Sequence, residues 1–219
     1  LNTMGAADKI VWYENDGAAD PSFTANTVTS SAADSPNQVY AEDLDNDGDI
    51  DIISSSFNDD KIIWFESDGA ADPSFTANTI TSSADGAGTV YAVDVDGDGD
   101  IDVISGSGID DKVAWYENNG AADPSFTAAD IATSADGAQS VFVADMDNDG
   151  DMDIVSASYR DDAIAWYENN GAADPSFTAT DIVTNADGAY SVFVADIDND
   201  GDMDIVCASY NDDKIRWLE

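Results

Sequence analysis

The chain has 219 residues, with 6 Lys and Arg against 47 Asp and Glu, a formal net charge of −41 and no histidine. That balance excludes nucleic-acid phosphate as a partner and disfavours an anionic membrane surface, because nothing basic is available to meet either. A hydrophobic fraction of 43% and an aromatic fraction of 10% supply material for a packed core and argue against the disorder that high net charge alone favours.

In chain order, K-I-V-W-Y-E (9–14) and F-T-A-N-T-V-T (23–29) read as short strands around the turn N-D-G-A-A-D-P. From about residue 38 a longer unit begins, and it carries the acidic loop D-L-D-N-D-G-D-I-D (43–51) and the run K-I-I-W-F-E (61–66). The next unit has the same plan. V-Y-A-V-D-V (90–95) enters the loop D-V-D-G-D-G-D-I-D (94–102), I-D-V-I-S (101–105) leaves it, and a polar link at 109–111 leads into K-V-A-W-Y-E (112–117). N-N-G-A-A-D-P then turns the chain into F-T-A-A-D-I-A-T (126–133), and a loop containing A-D-G-A leads onward. A third unit carries D-M-D-N-D-G-D-M-D (145–153), and the last segment, 191–219, carries D-I-D-N-D-G-D-M-D (196–204).

Asp43, Asp94, Asp145 and Asp196 are 51 residues apart, as are Trp64, Trp115, Trp166 and Trp217, while Trp12 lies 52 before Trp64. A fixed period near 50 points to a solenoid, a propeller or an array. Four short runs per unit, and no apolar stripe of helical spacing, make the chain all-β. Several runs are apolar on both faces. In 61–66, Ile62 and Trp64 point one way, Ile63 and Phe65 the other, so both faces need cover. Blades stacked around an axis supply that cover, which predicts a β-propeller of four-stranded blades about 51 residues long. A stacked β-solenoid is the alternative, although its coils are usually much shorter. The whole of 1–219 reads as one repeat domain: a partial unit 1–37, units at about 38–88, 89–139 and 140–190, and a partial unit 191–219.

No run approaches the roughly 18 apolar residues of a membrane span, so no direct membrane insertion is expected. No secretory leader is recognisable, but the chain does not begin with Met, so its N-terminus reads as processed or truncated. Cys207, the single cysteine, aligns with Ser54, Ser105 and Ser156 and reads as a small core residue rather than a redox or metal group.

The acidic loops carry the chemistry. Two carboxylates 4 Å apart repel by several kcal/mol at an effective dielectric near 20, so a loop holding four or five needs a cation. In the first copy Asp43, Asp45, Asp47 and Asp51 stand at loop positions 1, 3, 5 and 9, Gly48 provides the turn, and Asp49 at position 7 offers its backbone carbonyl. The matching sets are Asp94, Asp96, Asp98 and Asp102 with Asp100; Asp145, Asp147, Asp149 and Asp153 with Asp151; and Asp196, Asp198, Asp200 and Asp204 with Asp202. An all-oxygen set around a glycine turn suits Ca²⁺, about four ions per chain, better than Mg²⁺ with its stricter octahedron. The loop is not an EF-hand, since position 12 holds Ser or Cys where that motif needs a bidentate Glu. The paired link residues, Asp59-Asp60, Asp110-Asp111, Asp161-Asp162 and Asp212-Asp213, read as solvated turns, with a second weak ion site or an inter-blade pocket as the sharper alternative.

With these residues in hand, the sequence resembles the FG-GAP/VCBS repeat family, through V-Y-A-V-D-V-D-G-D-G-D-I-D-V-I-S (90–105), K-V-A-W-Y-E-N-N-G (112–120) and P-S-F (124–126). The resemblance implies calcium-binding propeller repeats, similar to those of integrin α-chain heads and fungal propeller lectins. It implies that Asp43, Asp45, Asp47 and Asp51, and their equivalents, ligate the ions, and that the protein works outside the cell or at its surface.

The ends do not match a simple ring, because both bring a Trp strand while only four acidic loops are present. The chain is expected to be part of a longer propeller, a compact ring, or one of several chains completing one another. The first functional reading is a non-enzymatic, calcium-binding structural or adhesion propeller. One alternative is a lectin with sugars bound between blades, for which Tyr40, Tyr91, Tyr159, Tyr190 and Tyr210 are candidate stacking residues. Another is a subunit of an extracellular repeating assembly. The expected partner is a protein, a glycan or another copy of the chain. Enzymatic activity is not expected, since no catalytic set stands apart from the loops.

Overall fold

The structure, a computed structural model, describes residues 8–219. Residues 1–7 of the N-terminal partial unit lie outside the described residues. Every regular element among them is a strand, and the strands group into five antiparallel meanders. β1 (Ile10–Asn15) and β2 (Phe23–Thr29) form a two-stranded sheet. β3 (Pro36–Glu42), β4 (Asp51–Ser56), β5 (Lys61–Ser67) and β6 (Phe75–Thr81) form the second sheet. β7 (Ala87–Val93), β8 (Asp102–Ser107), β9 (Lys112–Asn118) and β10 (Phe126–Ala132) form the third. β11 (Ala138–Ala144), β12 (Asp153–Ser158), β13 (Ala163–Asn169) and β14 (Phe177–Val183) form the fourth. β15 (Ala189–Ala195), β16 (Asp204–Ser209) and β17 (Lys214–Leu218) form the last. These are propeller blades in an open ring, and no strand pairing joins the first sheet to the last among the described residues.

No blade has a core of its own. Ile53, Ile62 and Trp64 of the second sheet share one cluster with Val90, Val103 and Tyr116 of the third. Ile104, Val113 and Trp115 on the other face of that third sheet join Val141, Ile154 and Tyr167 of the fourth. Strand alternation explains this: each Trp points toward the following blade, and the aromatic residue after it points toward the preceding one. The runs expected to be apolar on both faces are therefore buried on both faces, as in β5 and β8. The pattern also explains the exceptions. No described residue packs beyond the last sheet, so Ile215 is 79% and Trp217 50% exposed where Ile164 and Trp115 are buried.

The innermost strands are laced together by one recurring device. Val90 N–H donates to Gln38 Oε1 (3.3 Å), Val141 N–H to Thr89 Oγ1 (3.3 Å) and Val192 N–H to Ser140 Oγ (3.3 Å). Beside them Tyr40, Tyr91, Phe142 and Phe193 stack in one column, with ring centroids 4.8, 5.4 and 4.9 Å apart. Tyr40 and Tyr91 are packing residues in this column, and burial pushes the Tyr40 hydroxyl up to about 12.

The link aspartates are turn residues. Asp60, Asp111, Asp162 and Asp213 take left-handed backbone angles, with φ between 55° and 61°. Asp60 then reaches the next blade's entry loop, accepting Ala84 N–H on its carbonyl (3.0 Å) and Gly86 N–H on Oδ1 (3.1 Å). Asp59 pairs with Lys61 at 2.7 Å.

Cys207 sits 1% exposed, and burial raises its thiol pKa. Ser105 and Ser156 at the matching positions meet the hydroxyls of Tyr116 and Tyr167 at 3.3 and 3.2 Å. Leu218 takes the place of that tyrosine near Cys207. In the second blade Phe65 takes the tyrosine's place, and Ser54, opposite Ile63, donates to the Ser55 carbonyl at 3.2 Å. Cys207→Ser has the same escape, so it should shift the melting temperature by only a few degrees, which a thermal melt checks.

Candidate metal centres

The acidic loops join the first strand of a blade to the second in all four cases, so they gather at one end of the propeller. Local backbone chemistry shapes each one. Gly48 N–H donates to Asp43 Oδ2 at 3.0 Å and Asp47 N–H to Asp43 Oδ1 at 3.1 Å, winding the loop around its first carboxylate. Asn46, Asn148 and Asn199 at position 4 have φ of 59°, 62° and 63°, and Gly97 has 77°. These are the left-handed angles that Asn and Gly tolerate best. Gly99 at position 6 has φ 97°, outside what a residue with a Cβ readily adopts.

Position 9 anchors the loop. Asp102 is 1% exposed. It accepts Asn118 N–H at 2.7 Å on Oδ1 and Val95 N–H at 3.2 Å on Oδ2, tying the loop to the Trp strand. Asp51 does the same with Ser67 (2.8 Å) and Leu44 (3.2 Å), and Asp153 with Asn169 (2.7 Å) and Met146 (3.2 Å). Burial raises all three above the usual carboxylate range, Asp102 to about 7, against the opposing pull of those N–H donors and of the nearby indole. The indole Nε1 atoms of Trp64, Trp115 and Trp166 are buried without a well-formed hydrogen bond. Burial also raises Asp45 and Asp96, with neighbouring carboxylates adding to the effect.

The convergence is at positions 1, 3 and 9. Oxygens of Asp43, Asp45 and Asp51 lie within 4.8 Å of one another, as do those of Asp94, Asp96 and Asp102, and of Asp196, Asp198 and Asp204. In the third loop the converging set is Asp145, Asp147 and Asp149. In every loop the position 5 carboxylate accepts the position 7 N–H, Asp47 from Asp49 at 2.8 Å, Asp98 from Asp100 at 2.9 Å, Asp149 from Asp151 at 2.9 Å and Asp200 from Asp202 at 3.0 Å. Three of the position 7 side chains turn away from the cluster. Those of Asp49, Asp100 and Asp151 lie where a Cβ on Gly69, Gly120 or Gly171 would go. That leaves only the backbone of position 7 to face an ion in those loops.

The donor set fits calcium on its chemistry. Every candidate donor is a hard oxygen, at least one carboxylate of each converging set is drawn partly out of solvent, and the chain has no histidine to offer a softer ion.

Two features of the site are absent from the sequence reading. Glu219 joins Asp198 and Asp200 in a further oxygen group, and the charge of the matching Glu117 acts on Asp96. The signal was the Glu that follows each Trp by two residues. Asn118 and Asn169 are buried clasps between neighbouring loops. Asn118 Nδ2 donates to Leu44 O (2.9 Å) in the preceding blade and to Ile101 O (3.0 Å) in its own, and Asn169 repeats this with Val95 O (3.0 Å) and Met152 O (3.1 Å). Asn46 Nδ2 also reaches Asp100 Oδ1 of the next loop at 3.1 Å.

Comparison with known proteins agrees with this architecture. No curated protein matches the sequence. Among solved structures, the chain is similar to an Agrocybe aegerita lectin described for specific recognition of non-reducing terminal N-acetylglucosamine, with a TM-score of 0.58 and 20% identity. The match covers 94% of this chain and 58% of the lectin, so the chain spans less than two thirds of that protein. At this identity the likeness speaks for the fold. A model of the FG-GAP-like repeat matches residues 43–105, 94–156 and 145–207, three overlapping pairs of the acidic loops and the strands between them. The chain belongs to the FG-GAP-like repeat family.

Proposed function

We propose that this chain is a calcium-binding, non-enzymatic propeller module that works outside the cell as a structural or adhesive scaffold. One observation carries the reading. Four times over, the fold draws carboxylates of one loop together and buries the position 9 aspartate of that loop. Such an arrangement is costly without a cation and stable with one. Loops of this kind in extracellular modules bind calcium at about 10⁻⁴–10⁻³ M, which is filled outside cells and empty in resting cytosol. The absence of an enzymatic role is supported by the use of these carboxylates in the loops themselves, where their oxygens already hold backbone N–H groups. Calorimetric titration of chelated protein should give about four Ca²⁺ per chain, with Mg²⁺ much weaker. A stoichiometry near zero, or equal binding of Mg²⁺, sinks the reading.

A second reading is carbohydrate recognition. It is favoured by the shared blade arrangement with a fungal lectin over 94% of the chain. In this reading the calcium loops hold the blades in register and the opposite end of the propeller meets a glycan. A glycan array probed in calcium, with the chelated protein as control, tests it. Signals on no glycan leave only the scaffold role.

A further inference from the structure

At the end of the propeller opposite the acidic loops, the repeats stop being alike. The residue after the second strand is Phe57, Gly108, Tyr159 or Tyr210 in successive blades, and the second residue of the first strand is Asn37, Gly88, Gln139 or Tyr190. Only the junction of the fourth and fifth blades therefore brings three tyrosines together. Ring centroids of Tyr159, Tyr190 and Tyr210 are 6.4, 6.3 and 6.1 Å apart, a nearly equilateral triangle. Core packing does not account for them, since Tyr190 is 53% and Tyr210 69% exposed.

The triangle is held in place. A register shift between Ala189 and Ser191 leaves Tyr190 as an unpaired bulge residue, the kind of irregularity that re-aims a side chain out of a sheet. Tyr159 Oη donates to Asn211 Oδ1 at 3.1 Å, and Asn211 Nδ2 donates to Asp187 Oδ1 at 3.1 Å. Tyr210 N–H is fixed to Gly188 O at 2.8 Å. Gly188 has φ 66° and lies so close to the Tyr159 ring that a Cβ there would be 3.1 Å from Cε2. The carboxylate of Asp162 sits under the same turn, accepting Gly188 N–H at 2.8 Å. Of the two arginines, Arg160 is turned to the preceding junction, where it meets Gly108 O, Asp111 and Asp136, and Arg216 is engaged by Asn185 O and Asp212 Oδ2 at 2.8 and 2.7 Å.

We propose that Tyr159, Tyr190 and Tyr210 form a binding site for a quaternary ammonium group. Three aromatic rings at this spacing can all lie within about 6 Å of one cation, the range over which a ring face attracts it. Asp162, Asp187 and a net charge of −41 reinforce that attraction and repel anionic ligands. A quaternary centre carries methyl groups that pack on the rings and sheds its weakly held water more easily than a primary ammonium. A neutral sugar also stacks on tyrosine, but it gains nothing from the field.

The repeats supply the control substitutions. Tyr190→Gln copies Gln139 and Tyr159→Gly copies Gly108, so each places a residue that a sister blade already accommodates. Calcium-loaded protein is titrated with choline and with its neutral isostere 3,3-dimethylbutan-1-ol by NMR. Choline should bind about tenfold or more tightly than the isostere and weaken as salt is raised. Both variants should lose at least that factor with melting temperatures near that of the parent, whereas Tyr210→Phe, which copies Phe57 and keeps the ring, should retain binding. Phosphatidylcholine vesicles that compete with choline assign the group to a lipid surface, and vesicles that fail to compete assign it to a soluble ligand. Equal binding of choline and the isostere, no binding of choline, or salt-independent binding of N-acetylglucosamine that displaces choline from the same tyrosines overturns the proposal.

Discussion

Excess EDTA should lower the melting temperature by tens of degrees or leave the chain unfolded. An ion that binds the folded state and not the unfolded one stabilises it by about 2.7 kcal/mol at a hundredfold excess over Kd, so four sites contribute on the order of 10 kcal/mol. That equals the whole stability of an ordinary domain. Chelation also exposes the loops' own pH dependence. Asp102 has a folded pKa of about 7 against an ordinary 3.8, so the folded state holds its proton more tightly than the unfolded state does. Asp45, Asp51, Asp96 and Asp153 are shifted in the same direction. Between those limits the folded chain binds more protons, and stability must fall as pH rises from about 4 to about 7. Chelated protein should therefore melt higher at pH 5 than at pH 7.5, and calcium should reverse the order, because the ion needs the ionised carboxylates. Thermal melts at the two pH values, with and without calcium, check both halves. Superimposable curves contradict the account.

Asp102→Ala should be among the most damaging single changes, costing on the order of 5 kcal/mol. It removes the acceptor of Asn118 N–H and Val95 N–H, and Asn118 is itself buried. An unsatisfied buried donor costs about 1–3 kcal/mol, and the lost ion adds its own contribution. Asp123→Ala removes the same charge from an exposed turn and should leave both melting and calcium stoichiometry unchanged. Calorimetric titration of the two variants should give about three ions for the first and four for the second. If the variants behave alike, the loss belongs to net charge rather than to the anchor.

The repeat, its strands and the loop turns were legible because they are local. A 51-residue period fixes the blade, alternation fixes both buried faces, and Asn or Gly at position 4 announces the left-handed turn that Asn46 and Gly97 adopt. Contacts between blades were not legible. Asn118 meets Leu44 across 74 residues, and nothing in either local sequence names the other. Spacing alone also gave positions 1, 3, 5 and 9 equal standing. Only the fold shows that position 9 is the buried anchor. The tyrosines were visible as residue types, but Tyr40 and Tyr91 enter the axial column whereas Tyr190 is turned outward by a bulge. A bulge leaves no mark in an alternating pattern.

The central claim is that the four acidic loops are calcium sites. Anomalous diffraction from crystals grown in calcium, collected at a wavelength where calcium scatters anomalously, addresses it most directly. Four peaks are expected, each within ligand distance of a position 1 and a position 3 carboxylate: Asp43 and Asp45, Asp94 and Asp96, Asp145 and Asp147, and Asp196 and Asp198. Loops without peaks, or peaks gathered at the link aspartates instead, would contradict it.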